Sequence, residues 1–196
     1  MIKDATACLV ILAGGRSTRM GTDKAVINFQ GKRLVDILIG RFATKAAPIL
    51  LSAREDYETG LKTISDDPDA PGGPVGAIFS VAARLREIEA GIEGFVTVPV
   101  DAPFAPRDLM EKLSANRTCA VAEDDHRIHP TFAYWRCDIV NAVRATHDHD
   151  ERAPSLQWLA RQCGAETVRW TDPTLFMNIN CPDDLIAAAA IKKAGA

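Results

Sequence analysis

Residues 12 to 24 read Leu12-Ala13-Gly14-Gly15-Arg16-Ser17-Thr18-Arg19-Met20-Gly21-Thr22-Asp23-Lys24. Two adjacent glycines let a backbone approach a ligand closely and turn its N–H groups toward anionic oxygens. Arg16, Arg19 and Lys24 add cations in the same short stretch, and a triphosphate needs that density of donors to be neutralised. The spacing is neither Gly-x4-Gly-Lys-Ser/Thr nor Gly-x-Gly-x-x-Gly, which disfavours both of those phosphate-binding loops. Gly-Gly by itself reads equally as a plain strand-to-helix turn with solvated basic residues.

A second candidate is Asp101, in Val98-Pro99-Val100-Asp101-Ala102-Pro103-Phe104, just beyond an apolar run. A lone carboxylate there suits Mg²⁺, which takes one or two carboxylates and completes its shell with phosphate oxygens and water. An Asp capping a turn before Pro103 is the alternative. A third is the Pro/Gly/Asp-rich stretch from Ile64 to Ala77, with Asp66, Asp67, Gly73 and Pro74. Such fixed backbone can present polar groups to a base edge and reject a wrong base by leaving them unpaired, although an ordinary surface turn with a helix starting at Pro74 also fits. Asn178 and Asn180 sit two apart and on an extended segment would point the same way, toward either a ligand or loop backbone. His126, His129, His147 and His149 are not joined by thiols into a metal set, and no Ser-His-Asp pattern surrounds a nucleophile elbow. The five cysteines are scattered without a Cys-x-x-Cys spacing, so they read as reduced, mostly buried small hydrophobes.

The elements that must hold these residues alternate in type. Apolar, β-branched runs at Cys8–Leu12, Pro48–Ala53 and Phe95–Val100 read as buried strands. Arg33–Lys45 and Val75–Glu89 carry apolar residues at helical spacing. Further on, Arg107–Ser114, Asp138–Thr146, Ser155–Cys163 and Pro182–Lys193 read as helices, and Thr118–Glu123, Thr131–Trp135 and Glu166–Trp170 as strands. Alternation of this kind predicts an α/β fold, a three-layer Rossmann-like α/β/α sandwich on a mostly parallel sheet. Residues 123 to about 152 look least regular and are expected to form a second-substrate lobe. The 196 residues carry 23 Lys plus Arg against 26 Asp plus Glu, a net charge of −3, which supplies no basic field for wrapping nucleic acid. No apolar run approaches the roughly 20 residues of a membrane span, so a cytoplasmic location, with no membrane partner, is expected.

With these residues in place the chain resembles the molybdenum cofactor guanylyltransferases of the MobA type, which have the nucleoside-diphospho-sugar transferase fold. The resemblance rests on Leu-Ala-Gly-Gly, Arg-Met-Gly and Asp-Lys in the loop, Asp66 ahead of Gly73-Pro74, Val-Asp-x-Pro at Asp101, His129-Pro130-x-Phe, and Asn178-Ile-Asn180-Cys-Pro-Asp-Asp-Leu. It implies one nucleotidyltransferase domain over 1–196, its nucleotide half ending near residue 115 and its second-substrate half following. It implies transfer of GMP from GTP to the terminal phosphate of molybdenum-loaded molybdopterin, with release of pyrophosphate. Leu12, Ala13, Gly14, Gly15, Lys24, Ser52, Asp66, Gly73, Pro74 and Asp101 would contact the nucleotide. Arg19, Lys24 and Asp101 would be catalytic, Asp101 binding Mg²⁺, and His129, Asn178 and Asn180 would face the pterin. Asp67 is an alternative to Asp66, and Ser52 stands where the family often has Asn. The implied partners are GTP, the molybdopterin substrate, a molybdopterin-loading protein and apo-molybdoenzymes. Two rivals stay open: a related nucleotidyltransferase, using CTP or activating a sugar or alcohol phosphate, and a non-catalytic nucleotide-binding module. Cytidylyltransferases of this group typically show Leu-Ala-Ala-Gly, so Gly14 favours a purine.

Overall fold

The computed structural model describes residues 7–14, 23–46, 48–116, 118–147 and 154–194. Its first strand, β1 (Ala7–Leu12), is the apolar run ahead of the glycines and is buried on both faces. After it come a two-residue hairpin, β2 (Asn28–Phe29) and β3 (Lys32–Arg33), then helix α1 (Leu34–Phe42). Strands β4 (Ile49–Ser52) and β5 (Thr63–Ile64) precede α2 (Pro74–Ile88) and β6 (Gly94–Pro99). The distal half holds α3 (Leu109–Ser114), β7 (Ala120–Glu123), β8 (Ile128–Arg136), α4 (Cys137–Thr146), α5 (Leu156–Gln162), β9 (Glu166–Arg169) and α6 (Pro182–Ala194).

Seven strands form one sheet in the order β5-β4-β1-β6-β8-β7-β9. β5, β4, β1 and β6 run parallel, β8 is antiparallel to both β6 and β7, and β7 is again parallel to β9. The layers follow from alternation along β1. Leu9 and Ile11 pack with Val35, Leu38 and Phe42 of α1 and Leu109 and Leu113 of α3. Cys8 and Val10 face the other way, onto Val75, Ile78, Phe79 and Leu85 of α2, Val140 of α4 and Leu159 of α5. Helices thus cover both faces, as a sheet of near-continuous apolar strands requires. A smaller cluster of Ile27, Phe29, Leu34, Ile179 and Ala188 joins the β2–β3 hairpin to α6.

Within the stretch expected to be least regular, the described residues include one strand and one helix, β8 and α4. Ile128–Arg136 is the longest strand and lies between β6 and β7 within the main sheet. Pro130, which would break a ladder, lies outside the residues paired with β6 and beside the register shift at Val121/Ala122, where a bulge frees the position from donating.

The loop between β5 and α2 depends on its glycines. Gly73 holds φ at +83° ahead of Pro74. At Gly76 a Cβ would stand 1.9 Å from the Pro71 carbonyl oxygen, so the loop lies directly against the helix. Gly76→Ala must push that backbone away, and overpacking of this kind is expected to cost about 2 kcal/mol or more. Thermal unfolding of the variant measures the loss, and an unchanged midpoint would show the contact to be relaxed at no cost.

Candidate active site

In open α/β sheets ligands dock beyond the carboxyl ends of the strands, where strand order reverses. Here the chain passes from β1 outward to β4 and returns to β6 on the other side of β1. At that point lies a cavity of about 620 Å³. Leu12, Ala13 and Gly14 line it from the end of β1, and Pro99, Val100 and Asp101 from the end of β6. Ser52 ends β4 and Arg54 follows it, Asp66 follows β5, and Gly72, Gly73, Pro74 and Ala77 enter at the start of α2; Lys24 and Thr131 complete the wall. Residues far apart in sequence meet here because their strands end together. The Ala13 N–H donates to the Ser52 carbonyl at 2.9 Å and the Val100 N–H to the Leu12 carbonyl at 3.0 Å.

The centre of the site is an ion pair. Lys24 Nζ lies 2.5 Å from Asp101 Oδ2 and donates to Asn180 Oδ1 at 2.6 Å. Each partner is held by its own scaffold. Asp101 is only 7% exposed, its carbonyl accepts the Ile179 N–H at 2.8 Å, and Arg41 of α1 donates to the carbonyls of Phe104 and Ala105 just beyond it. Asp23 accepts the Ala25 N–H at 2.9 Å and so caps the short turn Lys24–Val26 that presents the lysine. The Tyr57 hydroxyl donates to Asp23 Oδ2 at 2.8 Å and lies 3.2 Å from the Ala13 carbonyl. Burial first, and then Asp23, push the Tyr57 phenol well above its ordinary pKa, so it stays a donor. Asn180 is placed by the Asp184 carboxylate, which accepts the Asn180 and Cys181 N–H groups at 2.7 and 3.0 Å. Those donors hold the Asp184 carboxyl below the usual carboxylate range.

A metal has one obvious foothold. Asp101 Oδ1 is buried and has no hydrogen-bond partner among the described residues, a costly state for a carboxylate oxygen and one that a hard cation would relieve. No cluster of three or more His, Cys, Asp or Glu residues is assembled for a metal among the described residues. A cation at Asp101 would therefore depend on substrate phosphates and water for its other ligands.

Leu12, Ala13, Gly14, Lys24, Ser52, Asp66, Gly73, Pro74 and Asp101 thus share one cavity, while Gly15 and Arg19 fall outside the described residues. Asp66 lines the cavity, whereas Asp67 is bound to Arg144 of α4 at 2.6 Å. Asn180 reaches Lys24, but Asn178 and His129 do not line the cavity.

His129 has a packing role instead. Its ring stacks on Phe176 at 4.3 Å, and its Nε2 lies 2.9 Å from Asp124 Oδ2. Burial holds the imidazole below 6.5, outweighing Asp124. Burial also pulls on Asp124, but the N–H groups of His126 and Arg127 and the His129 ring bring its carboxyl down to about 2. Both groups therefore take up fewer protons folded than unfolded, so stability falls as pH drops, through His129 below about 6.5 and through Asp124 below about 3.8. In His129→Gln the upper limb of that loss should disappear from a series of unfolding midpoints against pH; an unchanged limb would place the titrating group elsewhere.

Sequence reasoning missed Arg54, Tyr57 and Thr131. Arg54 carries no spacing signal, Thr131 only the register of β8, and Tyr57 works from a turn where its own φ is +51°. An Arg directly after a strand that ends beside the glycine loop was the one available hint.

Comparison with known proteins gives a consistent answer. The family model described as MobA-like NTP transferase domain matches residues 9–166. A protein of Cereibacter sphaeroides named molybdenum cofactor guanylyltransferase is 35% identical over 190 residues, covering 93% of this chain and 95% of that one. One of the same name from Rhizobium rhizogenes is 32% identical, covering 91% and 88%. Among solved structures, molybdopterin-guanine dinucleotide biosynthesis protein A of Archaeoglobus fulgidus superposes with a TM-score of 0.74 at 19% identity, over 95% of this chain and 98% of that one.

Proposed function

The chain belongs to the MobA-like NTP transferase family, and from that premise we propose that it transfers GMP from GTP to the terminal phosphate of molybdenum-loaded molybdopterin, releasing pyrophosphate. It is a nucleotidyltransferase. The observation that carries the reading is that Leu12, Ala13 and Gly14 line one cavity with the Lys24–Asp101 pair. The attacking phosphate is already an anion, so the protein has to align it with the α-phosphorus and offset the charge. Lys24 would shift from Asp101 toward the triphosphate, where a mobile ammonium donor serves. Asp101 would hold a divalent cation, Mg²⁺ in our reading. That ion, when bound, neutralises charge on the phosphates.

Gly14 supports the purine. Among the described residues a Cβ there would meet only the Ser52 carbonyl, at an ordinary 3.8 Å, so their packing does not require glycine and leaves space for a base. Asp66, Gly73 and Pro74 would flank that base. Asn180 would stand beside the incoming pterin phosphate, with His129 and Asn178 shaping the same half from behind the cavity wall. Delivery from a molybdopterin-loading protein and release to apo-molybdoenzymes complete the reading, which is set where no helix among the described residues is long and apolar enough to cross a membrane.

The test is a nucleotide panel with and without molybdenum-loaded pterin, read as pyrophosphate release. Release from GTP that depends on the pterin is expected; release from CTP alone would assign cytidylyl transfer instead. Gly14→Ala should fold normally and lose about tenfold in GTP affinity through crowding. Unchanged GTP binding would remove the argument from Gly14.

A further inference from the structure

Arg54, to which the reaction described so far gives no role, lines the cavity with Asp66. β4 and β5 pair in parallel with Leu51 opposite Thr63 and Ser52 opposite Ile64. The Ala53 N–H continues the ladder to the Ile64 carbonyl at 3.1 Å, so Arg54 and Asp66 follow at equivalent positions on neighbouring strand ends. Both line the cavity and both are exposed to it. Neither forms a hydrogen bond or salt bridge among the described residues, although other carboxylates of this protein pair with nearby cations. A guanidinium and a carboxylate are thus presented side by side with their bonding capacity unspent.

Their place in the sheet says which end of a nucleotide they meet. The strand ends run β5, β4, β1, β6, so Asp66 stands three strand spacings from the strand of Asp101, about 14 Å. That is the reach of a nucleotide from base to phosphates. With the triphosphate at Lys24 and Asp101, the base lies over β4 and β5.

Resting on the reading of the nucleotide as GTP, we infer that Arg54 is a specificity-determining residue: it donates to guanine O6 and N7 while Asp66 accepts from N1–H and the 2-amino group. Arg is the side chain best matched to that pair of acceptors. The walls around Asp66 desolvate its carboxyl enough to raise its pKa, with Arg54 opposing, so the carboxylate gains from N–H donors more than a fully solvated one would. Adenine would set its N1 acceptor against the carboxylate, leaving it unpaired, and its 6-amino donor against the guanidinium, which would keep only N7.

Equilibrium binding with Mg²⁺ present, comparing wild type with Arg54→Ala, tests this with GTP, 7-deaza-GTP, ATP, CTP and inorganic triphosphate as ligands. Arg54 makes no side-chain bond among the described residues, so the variant's melting midpoint should match wild type. GTP binding should weaken roughly 10- to 100-fold while ATP and inorganic triphosphate bind as before. Wild type should also bind 7-deaza-GTP more weakly than GTP, and that difference should vanish in the variant. An equal loss for GTP, ATP and inorganic triphosphate would make Arg54 a phosphate contact and overturn the inference. A wild-type protein that prefers CTP would instead overturn the guanylyl reading from which it starts.

Discussion

Asp101→Asn should lose roughly a thousandfold in turnover while keeping the wild-type fold. A metal clamp on phosphoryl oxygens is worth several kcal/mol at the transition state, hence a factor on the order of 10³. The substitution keeps the shape and removes the charge. The backbone around residue 101 is fixed independently of the side chain, by Val100 N–H on Leu12, Ala102 N–H on Pro99 and Ile179 N–H on the Asp101 carbonyl. The buried Oδ1 has no partner to lose among the described residues. Steady-state pyrophosphate release gives the turnover, and thermal unfolding within a few degrees of wild type gives the control. Turnover within threefold of wild type would remove Asp101 from the reaction.

Lys24→Ala should lose about a hundredfold, the cost expected on removing one donor aimed at developing phosphate charge. This variant has a second effect. Lys24 holds Asp101 at 2.5 Å and Asn180 at 2.6 Å, and its loss leaves a mostly buried carboxylate without its cation, which is destabilising. The double variant Lys24→Ala/Asp101→Asn separates the two effects. Its stability should exceed that of Lys24→Ala, because the stranded charge is gone, while its turnover should stay at or below that of Asp101→Asn. Stabilities that simply add would mean that the pair is not coupled in the folded protein.

Much of this arrangement could be read from the chain. β1, β4 and β6 are short β-branched runs whose burial on both faces leaves no other interpretation, and α1 and α2 show the helical period. Gly14 and Asp101 stood out because they directly follow apolar strands, and both line the cavity, although each residue type there also fits an ordinary turn. The reversed direction of β8 was not legible, since local sequence carries no sign of strand direction. The hairpin at 28–33 and β5 at 63–64 are two-residue strands, too short to show any alternation. Residues 123–136 misled because Pro130 and His129 interrupt the apolar pattern, one allowed by a register shift and the other buried, hydrogen-bonded to Asp124 and stacked on Phe176. The link between the halves was legible only in part. The Asn-x-Asn segment stood out, but its attachment to Asp101 through the Ile179 N–H and to Lys24 through Asn180 depends on a backbone contact across 78 residues of chain.

Everything proposed for catalysis rests on Asp101 and Lys24 gripping a metal-bound nucleotide at the ends of β1 and β6. The most direct test is Mn²⁺ binding followed by electron paramagnetic resonance, with and without GTP, in wild type and Asp101→Asn. GTP should tighten Mn²⁺ binding to wild type at one site, and the variant should lose that site while its fold is retained. Equal GTP-dependent Mn²⁺ binding by both proteins would contradict the account.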